Sequence, residues 1–369
     1  MTIAFVPQAA LPPLTIEILD DVAAPALEGA WAELAVASET ANPFYERGAV
    51  LAGMRLPGAA VPRLLLAWSD DGGRRRLDGL LPIARRDARH WLPAVVENWD
   101  QRARALGEPL IRTGYEAAFW AAALPALARH GLYLRLSALA ADSASTRALL
   151  ALGGAVETRR YGRAMLAGGL SSAEHAATHI RGKVLKEHRR LRARLDEQGG
   201  LAFERLPPEA DPGPWIDDLF ALEASGWKGR EGVAASADPA TEAAYRAMIV
   251  AAQAAGTLDF HRMSVGGRPV AMLADLERGD TAFQLKIAYD EAYAAFSPGV
   301  LLEMAYLGYA LDDRRLALVD SCARAGHPMI DRLWPERRAI VSLAIPFAST
   351  TSRLAVAALR RLKQRKPAR

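Results

Sequence analysis

Residues 284–306 read QLKIAYDEAYAAFSPGVLLEMAY: an apolar strand, an acidic loop and an apolar helix in direct succession. The loop carries Asp290 and Glu291. Ser297 is a favoured N-cap residue, Pro298 suits the first helical position, and Gly299 allows close approach to the backbone. A helix opening this way after a strand turns its first N–H groups outward. Ser297, Gly299, Val300 and Leu301 are therefore expected to receive a phosphate or carboxylate, drawn by free donors and the helix dipole.

The rest of the second half repeats this alternation. Strands are expected over 201–206, 258–265, 269–277, 281–288, 316–320 and 339–345, and helices over 214–223, 241–255, 301–311 and 329–334. In the first half, 14–19, 64–68, 77–83 and 132–137 read as strands, and 155–166 as a strand pair. Helical spacing covers 24–38, 116–130 and 145–152. Both halves share one rhythm of strand, helices, antiparallel strands, helix and strand, which predicts two similar α/β domains. Between them, Ser171 and Glu174 fit a capping box, and 181–194 holds seven basic residues against one acid, Glu187. A narrow stripe of Val184, Leu185, His188, Leu191 and Leu195 makes this a long basic amphipathic linker helix over 172–198, its charged face in water.

Two further clusters carry chemistry. LEASGWKGREG (222–232) sets Trp227 and Lys228 between glycines after Glu223, a loop shaped to meet a ligand. VDSCARAGHPMIDRLWPERR (319–338) brings Asp320 to a strand end, where α/β sheets meet their ligands, and follows it with His327. If they converge, Asp320 and His327 supply an acid–base pair near neutral pH. Cys322 reads as an inert buried thiol.

Composition narrows the classes. The 369 residues are half apolar, with 46 basic and 42 acidic side chains. Seven basic residues and no acid lie between 353 and 369, so the body without this tail has a charge of −3. A nucleic-acid-binding body is not expected. One cysteine excludes an internal disulfide framework, and seven histidines without obvious ligand spacing predict no metal. No secretory signal is read in the N-terminal residues, and the uncharged run of 14 residues over 339–352 is too short to span a bilayer. A cytoplasmic protein is expected. Walker A, Gly-x-Gly-x-x-Gly, Gly-x-Ser-x-Gly and His-Glu-x-x-His patterns are all missing, which removes the usual support for kinase, dinucleotide, serine-hydrolase and zinc-protease readings.

The segments LEASGWKGREG, LKIAYDEAYAAFSPGVLLEM and VDSCARAGHPMIDRLWPERR, in this order, resemble GNAT-superfamily acyltransferases of the bacterial cellulose-biosynthesis (CelD/BcsL-like) group. The resemblance is close over 171–345. It is looser over the first 165 residues, through Asn42-Pro43-Phe44 and GEPLIRTG (107–114). The group is similar to Fem-type peptidyltransferases, with two GNAT-like domains in tandem. It implies a GNAT-like domain over 1–168, an acyltransferase domain over 169–347 that includes the linker helix, and a basic amphipathic tail over 348–369. Each domain would be a mixed, mostly antiparallel sheet flanked by helices. It further implies acyl transfer from acetyl-CoA or another acyl-CoA, without a metal, to a sugar or amino-sugar acceptor in exopolysaccharide biosynthesis, holdfast polysaccharide included. The donor pyrophosphate would rest at Ser297, Pro298, Gly299 and Val300, although the usual loop has more glycines and an Arg or Gln at its start.

The thioester would be polarised by backbone N–H groups of 284–288. Asp320 and Glu223 are candidate bases, with His327 as base or proton shuttle, and Trp227, Lys228, Lys286 and Asp290 are candidate substrate contacts. Two alternatives remain open: an aminoacyl-tRNA donor, with the linker helix on RNA phosphates, or a GNAT fold without catalysis that serves as a binding module. The tail, read as a helix over 353–366 with Leu354, Ala355, Ala358, Leu359 and Leu362 on one face, is expected to touch the anionic inner face of the cytoplasmic membrane. The Arg361-to-Arg365 spacing also permits a cyclic dinucleotide contact.

Overall fold

A computed structural model describes residues 11–87 and 94–364. The stretch read for a signal lies largely outside the described residues, as do Arg365 of the dinucleotide contact and the end of the tail. The strands are β1 (Thr15–Leu19), β2 (Arg63–Asp71), β3 (Arg74–Arg86), β4 (Val95–Asn98), β5 (Leu110–Ile111), β6 (Tyr133–Ala140), β7 (Val156–Ala167), β8 (Leu201–Arg205), β9 (Leu258–Val265), β10 (Arg268–Arg278), β11 (Thr281–Tyr289), β12 (Leu318–Asp320) and β13 (Glu336–Pro346). The helices are α1 (Glu28–Ala37), α2 (Arg47–Gly53), α3 (Glu116–Leu127), α4 (Ala144–Ala151), α5 (Ser172–His179), α6 (Gly182–Asp196), α7 (Gly213–Ser225), α8 (Trp227–Arg230), α9 (Pro239–Ala254), α10 (Pro298–Leu307), α11 (Ile330–Leu333) and α12 (Thr350–Gln364).

All thirteen strands join one mixed sheet in the order β1-β2-β3-β4-β6-β13-β7-β12-β11-β10-β9-β8, with β5 on β3. Read inward from either edge, the pairing is the same: three antiparallel steps, one parallel step, then a closing antiparallel strand. The parallel steps are β4 with β6 and β11 with β12. The closing strands are exchanged. β13, from the end of the chain, pairs with β6, while β7, from the first half, pairs with β12, and the two meet each other over nine paired positions. The shared rhythm is thus two GNAT-like halves in tandem, each completed by a strand of the other.

Apolar faces cover the sheet. In the first half, Trp31, Leu34, Phe119 and Trp120 share one core with Leu64, Leu66, Leu80 and Leu136. In the second, Leu301, Leu302 and Tyr306 of α10 cover Met263, Ala271 and Leu273 on one face, while Ile216, Leu219 and Phe220 of α7 cover Phe260, Met272 and Ala274 on the other. The Asn42-Pro43-Phe44 motif works at the seam. Asn42 Nδ2 donates to the Glu108 carbonyl at 2.6 Å, and Phe44 meets Phe283 edge-on at 5.6 Å. Glu46 and Arg278 form a two-bond ion pair across the halves at 2.8 and 2.6 Å.

Three local expectations are corrected. The linker is two helices rather than one. Ile180 adopts extended angles (φ −109°, ψ 123°) and buries its side chain, and that burial is worth more than one continued helical turn. The stretch 155–166 is a single long strand, β7, because β13 and β12 flank it on both sides. The tail helix docks by a stripe that keeps Leu359 of the one read but centres on Val356. Phe347 N–H donates to Ser352 Oγ at 2.8 Å, which seats Val356 against Val156 and Ala344, while Leu354 and Leu362 stay 66% and 60% exposed.

Candidate active site

β11 and β12 pair over three residues only, Thr281 with Leu318 through Phe283 with Asp320. β12 ends there, so β11 runs on from Gln284 to Tyr289 with no strand on that side among the described residues. The chain after β12 diverges through Arg324 to Met329. A wedge opens between the two, and a cavity of about 370 Å³ occupies it, lined among others by Glu223, Trp227, Lys228, Tyr289, Arg324 and His327.

α7 delivers Glu223 almost fully buried, its side chain 2% exposed. Its carboxylate takes Lys228 Nζ at 2.8 Å, Lys286 Nζ at 2.7 Å and the Ala235 N–H at 2.9 Å. Burial alone would raise the Glu223 carboxyl, but the ammonium groups of Lys286 and Lys228 outweigh it and hold the group below the usual range. With its lone pairs occupied, Glu223 orients two lysines better than it accepts a proton. Lys286 lies 4.5 Å over the Tyr245 ring, and burial lowers its ammonium against the pull of Glu223. His327 is half-buried and takes a long 3.4 Å bond from the Ile330 N–H on Nδ1. Burial, then the charges of Arg324 and Lys228, push its imidazole below its ordinary value, so the ring is neutral at pH 7. Trp227 stands 47% exposed at the rim, its backbone N–H donating to Glu291 Oε1 at 2.6 Å.

The wedge thus gathers Glu223, Trp227, Lys228 and His327, with Lys286 joined to them through Glu223. It leaves out Asp320 and Asp290. Asp320 is wholly buried, and its oxygens are held by Arg163 and Arg338 at 3.2 Å and by the Cys322 N–H at 2.9 Å. The expected convergence of Asp320 with His327 does not occur, and a carboxylate clamped between two guanidinium groups makes a poor base. Asp290 caps the short helical turn 291–296 through the Ala292 N–H at 2.9 Å and pairs with Arg268. Tyr289, Glu291, Arg324 and Met329 line the cavity unforeseen. Tyr289 ends β11 just ahead of the acidic loop, the one signal that pointed to it.

The start of α10 is less open than expected. Ser297 sits in the left-handed region (φ 54°), and its carbonyl accepts the N–H groups of Val300 and Leu301 at 3.0 and 3.1 Å. Of the three donors read as free, Gly299 alone does not bond to it. Gly299 also borders the wedge: a Cβ there would stand 3.3 Å from Tyr289 Cδ1 and 3.6 Å from Met329 Sδ. The basic α6 reaches this corner, with the Arg194 guanidinium 5.5 Å from the centre of the Phe296 ring.

Behind the wedge, Glu303 of α10 is 1% exposed and takes both its hydrogen bonds from Gln284 Nε2, at 3.1 and 3.0 Å. Burial pushes its carboxyl up to about 7. The folded chain therefore keeps a proton that the unfolded chain releases near pH 4.5, and stability falls as pH rises from there through 7. Glu303→Gln removes this loss, a gain of up to about 3 kcal/mol at pH 8 and much less at pH 5. Urea unfolding at both pH values checks it; an equal gain at each would contradict the assignment.

The family model described as Acetyltransferase (GNAT) domain matches residues 182–325, which hold α6, α10 and most of the wedge, with His327 and Met329 just beyond. The second half therefore carries a GNAT acetyltransferase domain, which supports an acyltransferase activity. No curated protein matches the chain. Solved structures match its fold over most of its length. FemX aligns with a TM-score of 0.57 at 9% identity, covering 89% of this chain and 98% of its own. L-PGS from Bacillus licheniformis aligns at 0.51 and 13%, covering 93% and 98%. A conserved protein of unknown function from Bacteroides thetaiotaomicron VPI-5482 aligns at 0.54 and 14%, covering 90% and 100%. At such identities the likeness is one of fold.

Proposed function

We propose that the protein moves an acyl group from an acyl-CoA thioester to the amine of a sugar or amino-sugar acceptor, as in the CelD/BcsL-like exopolysaccharide group. The observation that carries the reading is the wedge itself. Where β11 loses its neighbour, the backbone of 284–289 is free to polarise a thioester carbonyl, and a neutral imidazole, His327, lines the same cavity. The donor's phosphates would lie toward Gly299 and Arg194 at the end of α6. His327 takes the acceptor proton, and the amine attacks the thioester carbonyl. The coenzyme A thiolate then leaves and is protonated. Lys228 and Lys286, held by Glu223, orient anionic parts of donor or acceptor. In this reading 1–168 is the supporting unit, 169–347 the catalytic unit and 348–369 the tail. Calorimetry with acetyl-CoA is the direct test: saturable binding is expected, and none at millimolar donor to folded protein would overturn the reading.

One observation favours a second reading with an aminoacyl-tRNA donor. Arg181, Lys183, Lys186, Arg189, Arg190, Arg192 and Arg194 are all exposed along α6 and its entry. Reversing charge at Arg189, Arg190 and Arg192 would abolish a tRNA shift in that case and leave acetyl-CoA binding nearly unchanged.

No helix among the described residues is long and apolar enough to cross a membrane. The tail offers a surface contact instead. Arg353, Arg360 and Arg361 are exposed on α12 beside the exposed Leu354 and Leu362. At about 1 kcal/mol for each basic residue near an anionic surface, replacing all three with Gln should weaken vesicle binding by roughly 10²-fold. Sedimentation with anionic vesicles reads this directly; equal binding by both proteins would remove the tail from the account.

A further inference from the structure

α5 carries His175 and His179 one turn apart, so both rings project from one helix face. The capping box at Ser171 fixes the helix start, and Ser172 N–H anchors it to Asp312 at 2.9 Å. On that face the rings lie 4.7 Å apart between centroids, and Glu336, the first residue of β13, completes the group. One nitrogen of each ring and one carboxylate oxygen all lie within 4.8 Å of one another.

The hydrogen bonds leave this group incomplete. His175 is fully buried, and its Nε2 stands 3.1 Å from the Leu333 carbonyl. A carbonyl only accepts, so Nε2 carries the proton and Nδ1 keeps a bare lone pair. That Nδ1 is buried and has no hydrogen-bond partner. Glu336 Oε2 is likewise buried and unpartnered, while its other oxygen is 3.5 Å from His179 Nε2. Two orphaned lone pairs in one small cluster are costly to leave unmet, and both are of the kind a cation satisfies.

We propose that His175, His179 and Glu336 bind one zinc ion, with water in the fourth position. Two imidazoles and a carboxylate form a zinc ligand set, whereas magnesium and calcium favour oxygen alone. A carbonyl on the far nitrogen of His175 is the usual outer-shell support that fixes tautomer and ring orientation. Zinc bonds of about 2.0–2.2 Å place ligand atoms roughly 3.3–3.5 Å apart. His179 and Glu336, with side chains 23% and 29% exposed, have the freedom to close by about 1 Å on the fixed His175. None of the three lines the wedge. The ion instead ties the linker helix to the first residue of the strand that crosses into the other half, so its role is to hold the exchanged strand.

The test uses the full-length protein without an affinity tag, stripped with chelator, dialysed and titrated with zinc chloride. One ion per chain by elemental analysis and a higher Tm are expected, with no rise in Tm from magnesium. Removing His175 risks misfolding, so His179→Gln and Glu336→Gln are used, each expected to weaken zinc binding by at least roughly 10-fold in protein whose circular dichroism is unchanged. No stoichiometric zinc in the wild type would overturn the proposal, as would undiminished binding in both variants or an equal response to magnesium.

Discussion

Asp320→Asn should cost about 3–5 kcal/mol of folding stability, the usual penalty for stripping one partner from a buried ion pair. Asp320 ends β12, Arg163 comes from β7 and Arg338 from β13, so one carboxylate binds the two exchanged strands to the second half. The two guanidinium side chains are only 4% and 9% exposed. An amide in place of the carboxylate leaves both charges uncompensated where water cannot reach them. Arg163 retains bonds to the Ala105 carbonyl at 2.9 Å and the Tyr161 hydroxyl at 3.0 Å, which orient it without neutralising it. The triple replacement Asp320→Leu, Arg163→Met, Arg338→Met should lose less than Asp320→Asn alone, because no charge is then stranded. Urea unfolding measures both, and a loss below about 1 kcal/mol for Asp320→Asn would show that the triad does not hold the seam.

His327→Gln is expected to lower kcat by about 10²–10⁴-fold, the usual contribution of a general base, with little change in Tm since the ring is only half-buried. The pH profile separates catalysis from mere packing. Only the neutral ring accepts a proton, and its pKa lies below the ordinary 6.5 through burial and the nearby Arg324 and Lys228. Wild-type kcat/KM should therefore climb through that lowered pKa and be flat by pH 7, and the variant should lack the climb. Release of free coenzyme A thiol over a panel of amino sugars reads both quantities. A variant that keeps the acid limb would transfer the base role to another group.

Much of this protein is legible residue by residue. The capping box at Ser171, the proline start of α10 and the apolar periodicities are short-range signals, and they place nearly every strand and helix of the second half. They also singled out 222–232 and the loop carrying His327, which do meet in the wedge. Local patterns inform here because caps, turns and amphipathic faces involve residues a few positions apart.

What lies beyond such patterns was decided by pairing across the chain. Arg163 and Asp320 are 157 positions apart, and His175 and Leu333 are 158 apart. The two sequence clusters hold no sign of which strand will lie beside which. An acidic residue at a strand end reads alike whether it faces a substrate or two arginines, which is why Asp320 reads as a base in the sequence. The break at Ile180 and the seat of Val356 have the same origin. In each, burial against a distant surface overrides the local helical register, and the surface exists only once the sheet has formed.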